Sequence, residues 1–142
     1  MVNDTRFCVE CGVAIKEQNR APRCNKCRYK QQRSARDESH KTFLQHKLIK
    51  ARARAKEKKL EFDLNIKFLV TLYETQNGRC AVSGLPMTHS SENTDLSISI
   101  DRLDNDFGYT TDNVRLVCNR VNLMRNKLSV EMFDWWCRTL GK

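Results

Sequence analysis

The sequence predicts an α+β chain: a short cysteine-rich knuckle, a basic helical stretch, and a small strand–loop–strand–helix unit with flanking helices. Three observations predict it. Four cysteines near the N-terminus fall in two C-x2-C pairs, Cys8/Cys11 and Cys24/Cys27. A lysine- and arginine-rich run without Gly or Pro follows from Arg28 to Lys59. Then Leu96 to Leu103 and Asn113 to Val117 ("NVRLV") read as two short strands joined through a turn at Asn105 to Gly108. The boundaries fall at residues 1–32 for the knuckle, 33–60 for the basic helix and linker, and 61–142 for the core with its C-terminal helix.

The chain has 142 residues, a hydrophobic fraction of 39% and a net charge of +9. That apolar content suffices for one modest core. From Lys16 to Lys59 there are 16 Lys or Arg and 4 Asp or Glu, a net +12, which leaves −3 for the rest. So concentrated a positive field is the footprint of a polyanion-binding surface, nucleic acid being the commonest polyanion. No apolar run approaches the roughly 20 residues of a membrane span, and the N-terminal stretch lacks the apolar core of a signal peptide. The expectation is a cytoplasmic protein with no membrane partner. In a reducing compartment, seven cysteines argue for metal ligation and free thiols rather than disulfides.

The spacing C-x2-C-x12-C-x2-C places two thiolates on each of two tight turns, which together close a tetrahedron around one Zn²⁺. All four positions are filled, so this zinc is structural. Leu44, Leu48, Ala51 and Ala55 then recur at helical spacing, with Lys47, Lys50, Arg54 and Lys58 on another face. A helix from about Ser39 to Lys59 is expected, with its basic face on DNA. A second helix, about Asn65 to Thr75, carries Phe68, Leu69, Leu72 and Tyr73 toward the core and stops at Gly78. Cys80-Ala81-Val82-Ser83-Gly84 and Cys118-Asn119-Arg120-Val121 resemble two further knuckles, each with its second cysteine replaced. They predict no second zinc, and Cys80 and Cys118 packed as facing free thiols. The C-terminal "SVEMFDWWCRTL" is amphipathic, and Met132, Trp135, Trp136 and Leu140 are expected in the core.

Asp101 stands where the first strand ends, and Asn122 on the first turn of the helix that follows the second. A carboxylate and an amide so placed can share one hard cation, with water filling the remaining positions, which suits Mg²⁺ or Mn²⁺. Arg102 offers a planar fork for a phosphate. Arg125 follows Asn122 at i+3 and is expected to contact DNA.

"SIDRLDNDFGYTTDNVRLVCNRVNLMRN" resembles the core of the HNH, or ββα-metal, nuclease superfamily, and phage-type members in particular. The resemblance spans Gly78 to about Leu128. The order of parts is also similar to that of restriction enzymes of the family that carry an N-terminal four-cysteine zinc knuckle. It implies a ββα-metal core and a metal-dependent endonuclease acting on double-stranded DNA, of homing, restriction or phage type, with a homodimer as one arrangement. It places Asp101 and Asn122 as metal ligands and Asn113 as the residue that braces the loop. Most members carry a histidine directly after the aspartate, as general base. Here Arg102 stands there, and an arginine cannot accept a proton near neutrality. The base is then His89, a histidine of the basic helix (His40 or His46), or metal-bound hydroxide alone. Competing readings are a DNA-binding protein that has lost its chemistry, a Holliday-junction resolvase, and a zinc-containing RNA-binding protein.

Overall fold

The computed structural model describes residues 5–15 and 21–142. The chain divides into two compact units, residues 1–36 and residues 37–142.

In the first unit, β1 (Arg6–Phe7) and β2 (Ala14–Ile15) pair antiparallel around a tight turn. The turn is closed by Cys8 N–H to the Val13 carbonyl at 2.8 Å and Gly12 N–H to the Cys8 carbonyl at 2.9 Å. Gly12 takes φ +69°, a left-handed conformation that costs glycine nothing. Helix α1 (Asn25–Asp37) starts directly after Cys24. The expected helix began only near Ser39, so α1 was not anticipated. It buries no residue, and a helix without an apolar stripe leaves no periodicity to detect.

The second unit holds the core. Helix α2 (His40–Lys58) starts one residue inside the expected boundary because Ser39 caps it. The Thr42 N–H donates to Ser39 Oγ at 3.2 Å, and the Ser39 N–H donates to Thr42 Oγ1 at 3.1 Å. Phe43, Leu44, Leu48, Ala51 and Ala55 form its buried stripe. Helix α3 (Ile66–Thr75) is capped by Asn65, buries Leu69, and packs Phe68, Leu72 and Tyr73 against the same core. Asn77 and Gly78 follow in left-handed conformations and turn the chain away.

Strands β3 (Ile98–Arg102) and β4 (Val114–Cys118) pair antiparallel, with Asp101 opposite Arg115. Alternation divides β3 into two faces, and both are covered. Ile98 and Ile100 join the apolar core with α2 and α3. Ser99 and Asp101 face helix α4 (Asn119–Arg125), which closes the ββα unit. Beside β4, the Gln76 side chain acts as a short strand: Oε1 accepts from Leu116 N–H at 3.0 Å and Nε2 donates to the Leu116 carbonyl at 2.9 Å.

Helix α5 (Val130–Leu140) departs from expectation. Only Phe133 is buried, whereas Met132, Trp135, Trp136 and Leu140 are 48%, 54%, 43% and 76% exposed. The stripe is amphipathic as read, but no described part of the chain covers it. Among the described residues no helix is long and apolar enough to cross a membrane.

The loop between β3 and β4 is fastened to residues 61–63. Tyr109 N–H donates to the Glu61 carbonyl at 2.9 Å, and Asp63 N–H donates to the Tyr109 carbonyl at 3.1 Å. A Cβ at Gly108 would lie 2.1 Å from the Glu61 carbonyl oxygen, a backbone atom that cannot step aside. Gly108→Ala should therefore destabilise the second unit by about 3 kcal/mol, the upper range for overpacking. Gly84→Ala has nothing near its Cβ and only a left-handed φ of +70° to tolerate, so it should cost about 1–2 kcal/mol. Urea unfolding of the two variants checks the order.

Candidate active site and metal centre

The four N-terminal cysteines come together as expected: the Sγ atoms of Cys8, Cys11, Cys24 and Cys27 all lie within 4.8 Å of one another. Cys11 and Cys24 are 3.6 Å apart. Zn–S bonds of about 2.3 Å in a tetrahedron place sulfurs about 3.8 Å apart, so the cluster fits zinc. The thiols are not equivalent. A backbone hydrogen bond from Cys24, foremost, brings Cys8 down to about 6, while hydrogen bonds to the Cys11 and then the Cys24 thiol push Cys27 up to about 12. Sulfurs this close cannot all ionise unless a cation compensates them.

The second unit repeats this geometry without completing it. Cys80 N–H donates to the Leu85 carbonyl at 2.9 Å and Gly84 N–H to the Cys80 carbonyl at 2.9 Å, the same two bonds that close the Cys8 turn. Cys80 Sγ accepts from Ser83 N–H at 3.5 Å, as Cys24 Sγ accepts from Cys27 N–H at 3.5 Å. Cys118 stands immediately before α4, as Cys24 stands before α1. Only two thiols converge. Both are buried and free. Burial raises the Cys80 thiol, but hydrogen bonds from Ser83 outweigh it and leave it below its usual value. Cys118 is raised, by burial first and then by its neighbour Cys80.

The ββα unit brings Asp101, Asn113 and Asn122 into one neighbourhood. Asn122, half-buried on α4, donates from Nδ2 to Ser99 Oγ at 2.8 Å, two residues from Asp101 on the same strand face. Asn113 braces the loop: Oδ1 accepts from Asp104 N–H at 2.9 Å, and Nδ2 donates to the carbonyls of Asp104 at 3.0 Å and Gly108 at 2.9 Å.

Asp101 is 2% exposed, and its carboxylate is held by two arginines. Arg115 Nε donates to Oδ2 at 2.9 Å and Arg125 Nη1 donates to Oδ1 at 2.5 Å. Arg125, expected on the DNA surface, is 1% exposed; its donors turn inward to Asp101 and to the carbonyls of Arg102 and Leu103, so it cannot reach a phosphate. In this arrangement the pair Asp101 and Asn122 does not fit a divalent cation. Two guanidiniums already over-compensate the carboxylate, and Asn122 turns its amide donor, not its oxygen, to the strand.

Arg102 donates from Nη1 to the carbonyls of Asn105 at 3.1 Å and Phe107 at 2.8 Å, and its guanidinium lies 5.0 Å from the centre of the Tyr109 ring. It braces the same loop as Asn113, while its Nε and Nη2 take no hydrogen bond among the described residues. His89 is not brought to Asp101. Its Nδ1 bonds the Asp37 carbonyl at 2.9 Å, and the adjacent Thr88 bridges Ser97, four residues before Asp101. At about 3.3 Å per strand residue that is about 13 Å away. His40 stacks on Tyr73 with ring centres 4.6 Å apart.

On α2, Lys50, Arg54 and Lys58 are exposed, and Lys47 is half-buried with its ammonium 5.3 Å from the Phe43 ring. Arg54 reaches to 5.9 Å from the Tyr109 ring, which Arg102 also contacts. Tyr109 thus joins the basic helix to the end of β3. Tyr109 and Arg115 escaped the sequence reading; the register that sets Arg115 opposite Asp101 was the signal that could have found the latter.

No protein-family model and no curated protein matches this chain. Among solved structures it is similar to the rare-cutting HNH restriction endonuclease PacI, at 15% identity and a TM-score of 0.47 over 96% of this chain and 93% of that one.

Elemental analysis of the purified protein should give one zinc per chain. Two would overturn the reading of Ser83 and Val121 as non-ligands. Cys11→Ala should abolish zinc uptake and unfold residues 1–36, since binding energy in so small a module is largely folding energy. Residues 37–142 should keep their cooperative thermal transition.

Proposed function

We propose that the chain is a DNA endonuclease of the ββα type that hydrolyses phosphodiester bonds in double-stranded DNA. One observation carries the reading. Asp101 at the end of β3, Asn113 in the loop and Asn122 on α4, the three positions picked out by the HNH resemblance, stand together in one ββα unit. The basic face of α2 would lie along the backbone of the duplex, and the contacts of Arg54 and Arg102 with Tyr109 support its reaching the candidate site. The free edge of the Arg102 guanidinium would take the phosphate. Arg102 cannot serve as base, and His89 is held on the Asp37 carbonyl.

A second reading, a DNA-binding protein without nuclease activity, is favoured by the two arginines on Asp101. Incubation with supercoiled plasmid and with branched junctions in Mg²⁺ or Mn²⁺ separates the two. The nuclease reading requires strand cleavage by wild type and its loss, on the order of 10²–10³-fold in rate, in Asp101→Asn. Asparagine is the right replacement, because it keeps an acceptor oxygen, whereas alanine would strand the buried Arg125 guanidinium at a cost of about 3–5 kcal/mol. Wild type that leaves every substrate intact decides for the binding protein.

Both readings place DNA on α2. Affinity should then fall with salt with a slope near −0.9 per phosphate contacted, and Lys50→Ala with Arg54→Ala should flatten that slope by about one unit per lost contact. An unchanged slope would mean that the basic face is merely solvated.

A further inference from the structure

Helix α1 runs for 13 residues and buries none of them. A helix of that length is marginal in water unless something packs on it or binds it. Its charges add to the difficulty. It carries five Lys or Arg and a single acid, Asp37, at its last position. Lys26, Lys30, Arg33 and Arg36 follow one another at three- and four-residue spacing, where like charges repel along a helix surface. A polyanion laid along the helix relieves that repulsion.

The knuckle fixes which side of α1 faces outward. Cys24 lies directly before the helix and Cys27 in its first turn, and both belong to the four-sulfur cluster. Cys27, Gln31 and Ser34 line a cleft against Cys11 of the knuckle. With 3.6 residues per turn, the opposite side holds Tyr29, Gln32 and Arg36, with Arg28 and Arg33 at its borders. Arg28, Tyr29 and Gln32 are exposed. The outward side chains are partly pre-set. Arg28 Nη2 donates to Asn25 Oδ1 at 2.9 Å, and the Arg33 guanidinium lies 5.9 Å from the centre of the Tyr29 ring. The bond to Asn25 uses one of the five guanidinium donors, and a side chain already steadied loses less freedom on binding.

Charge alone suffices to hold a phosphate backbone. An outward arginine and glutamine four residues apart offer more. A guanidinium forks onto O6 and N7 of guanine, and a side-chain amide pairs with N6 and N7 of adenine. The major groove of B-DNA, about 12 Å wide, admits a helix. We infer that α1 is the sequence-reading element of this protein, entering the major groove of double-stranded DNA with Arg28 on a guanine and Gln32 on an adenine. The basic face of α2 holds the backbone. The inference rests on the proposed action on duplex DNA and adds a second contact with a different task. Arg28 and Gln32 stand about 6 Å apart along the helix axis, so the two bases lie within about three base pairs of each other.

The test uses the full chain and a randomised duplex library, without added Mg²⁺ or Mn²⁺ so that nothing is cut. Bound sequences are selected and read for wild type, Arg28→Ala, Gln32→Ala and Gln32→Arg. Wild type should enrich a motif with a guanine and an adenine within about three base pairs. Gln32→Ala should lose the preference at the adenine alone, and Arg28→Ala at the guanine alone, each by a factor on the order of tenfold. Gln32→Arg should exchange the adenine for a second guanine. Alanine is the strongest helix former, so neither alanine variant should unfold α1, and circular dichroism checks this. Gln32→Ala should also bind a duplex without the motif as tightly as wild type does, with the same salt slope, because it removes no charge. Wild type that retains no duplex overturns the DNA reading and this inference together. Duplex bound with no enriched motif, or a motif unchanged in both alanine variants, refutes the reading helix and leaves DNA on α2. A motif read by α1 in a protein that cuts nothing when Mg²⁺ is added keeps the inference and decides for the binding protein.

Discussion

Asp101 places a negative charge in the interior of the second unit, and Arg115 and Arg125 share it. An isolated buried carboxylate would be prohibitively costly, so the ion pairs constrain everything around them. Arg115 reaches Asp101 across the β3–β4 ladder, which ties the charge pair to the strand register. Arg125 reaches it from α4 and holds the carbonyls beyond β3 as well, which fixes how the helix lies on the polar strand face. A one-residue slip of β3 would turn Asp101 into the apolar core, and a slip of β4 would turn Arg115 away from it.

The same end of β3 depends on a second constraint, the bracing of the loop. Asn113 saturates its side-chain amide on the loop backbone, Arg102 holds two further carbonyls, and Gly108 lets residues 61–63 approach within hydrogen-bond distance. These are positioning interactions, and together they keep Asp101 and Tyr109 in register with α2. Arg102, at the position where most members of the resembled family carry a histidine, is thus bound up in holding the loop together.

The chain uses one knuckle geometry twice. Cys8–Val13 and Cys80–Leu85 close with the same hydrogen bonds and the same left-handed glycine, and a cysteine precedes a helix in both units. In the first unit four sulfurs converge in a cluster that fits a zinc ion. In the second, Ser83 and Val121 replace two, and Cys80 and Cys118 are instead buried among the core side chains.

Local signals were enough to read much of this protein. The cysteine spacing gives the four-sulfur cluster because two C-x2-C turns have few ways to close. Ser39 and Asn65 mark the helix starts because their side chains satisfy backbone N–H groups a few residues away. The alternation around Asp101 gives the strand because its period is set by the pleat. Tertiary structure decided what depends on a partner. Arg125 looks from its sequence neighbours like a surface base; only the docking of α4 on β3 turns it inward to a carboxylate 24 residues earlier. Periodicity shows that α5 has an apolar face but not whether anything covers it, so Trp135 and Trp136 are legible as a stripe and not as core or surface. Helix α1 was invisible because it has no such face. Whether Asp101 offers its oxygens to a cation or to arginines is a question of charge in three dimensions, and no linear spacing encodes it.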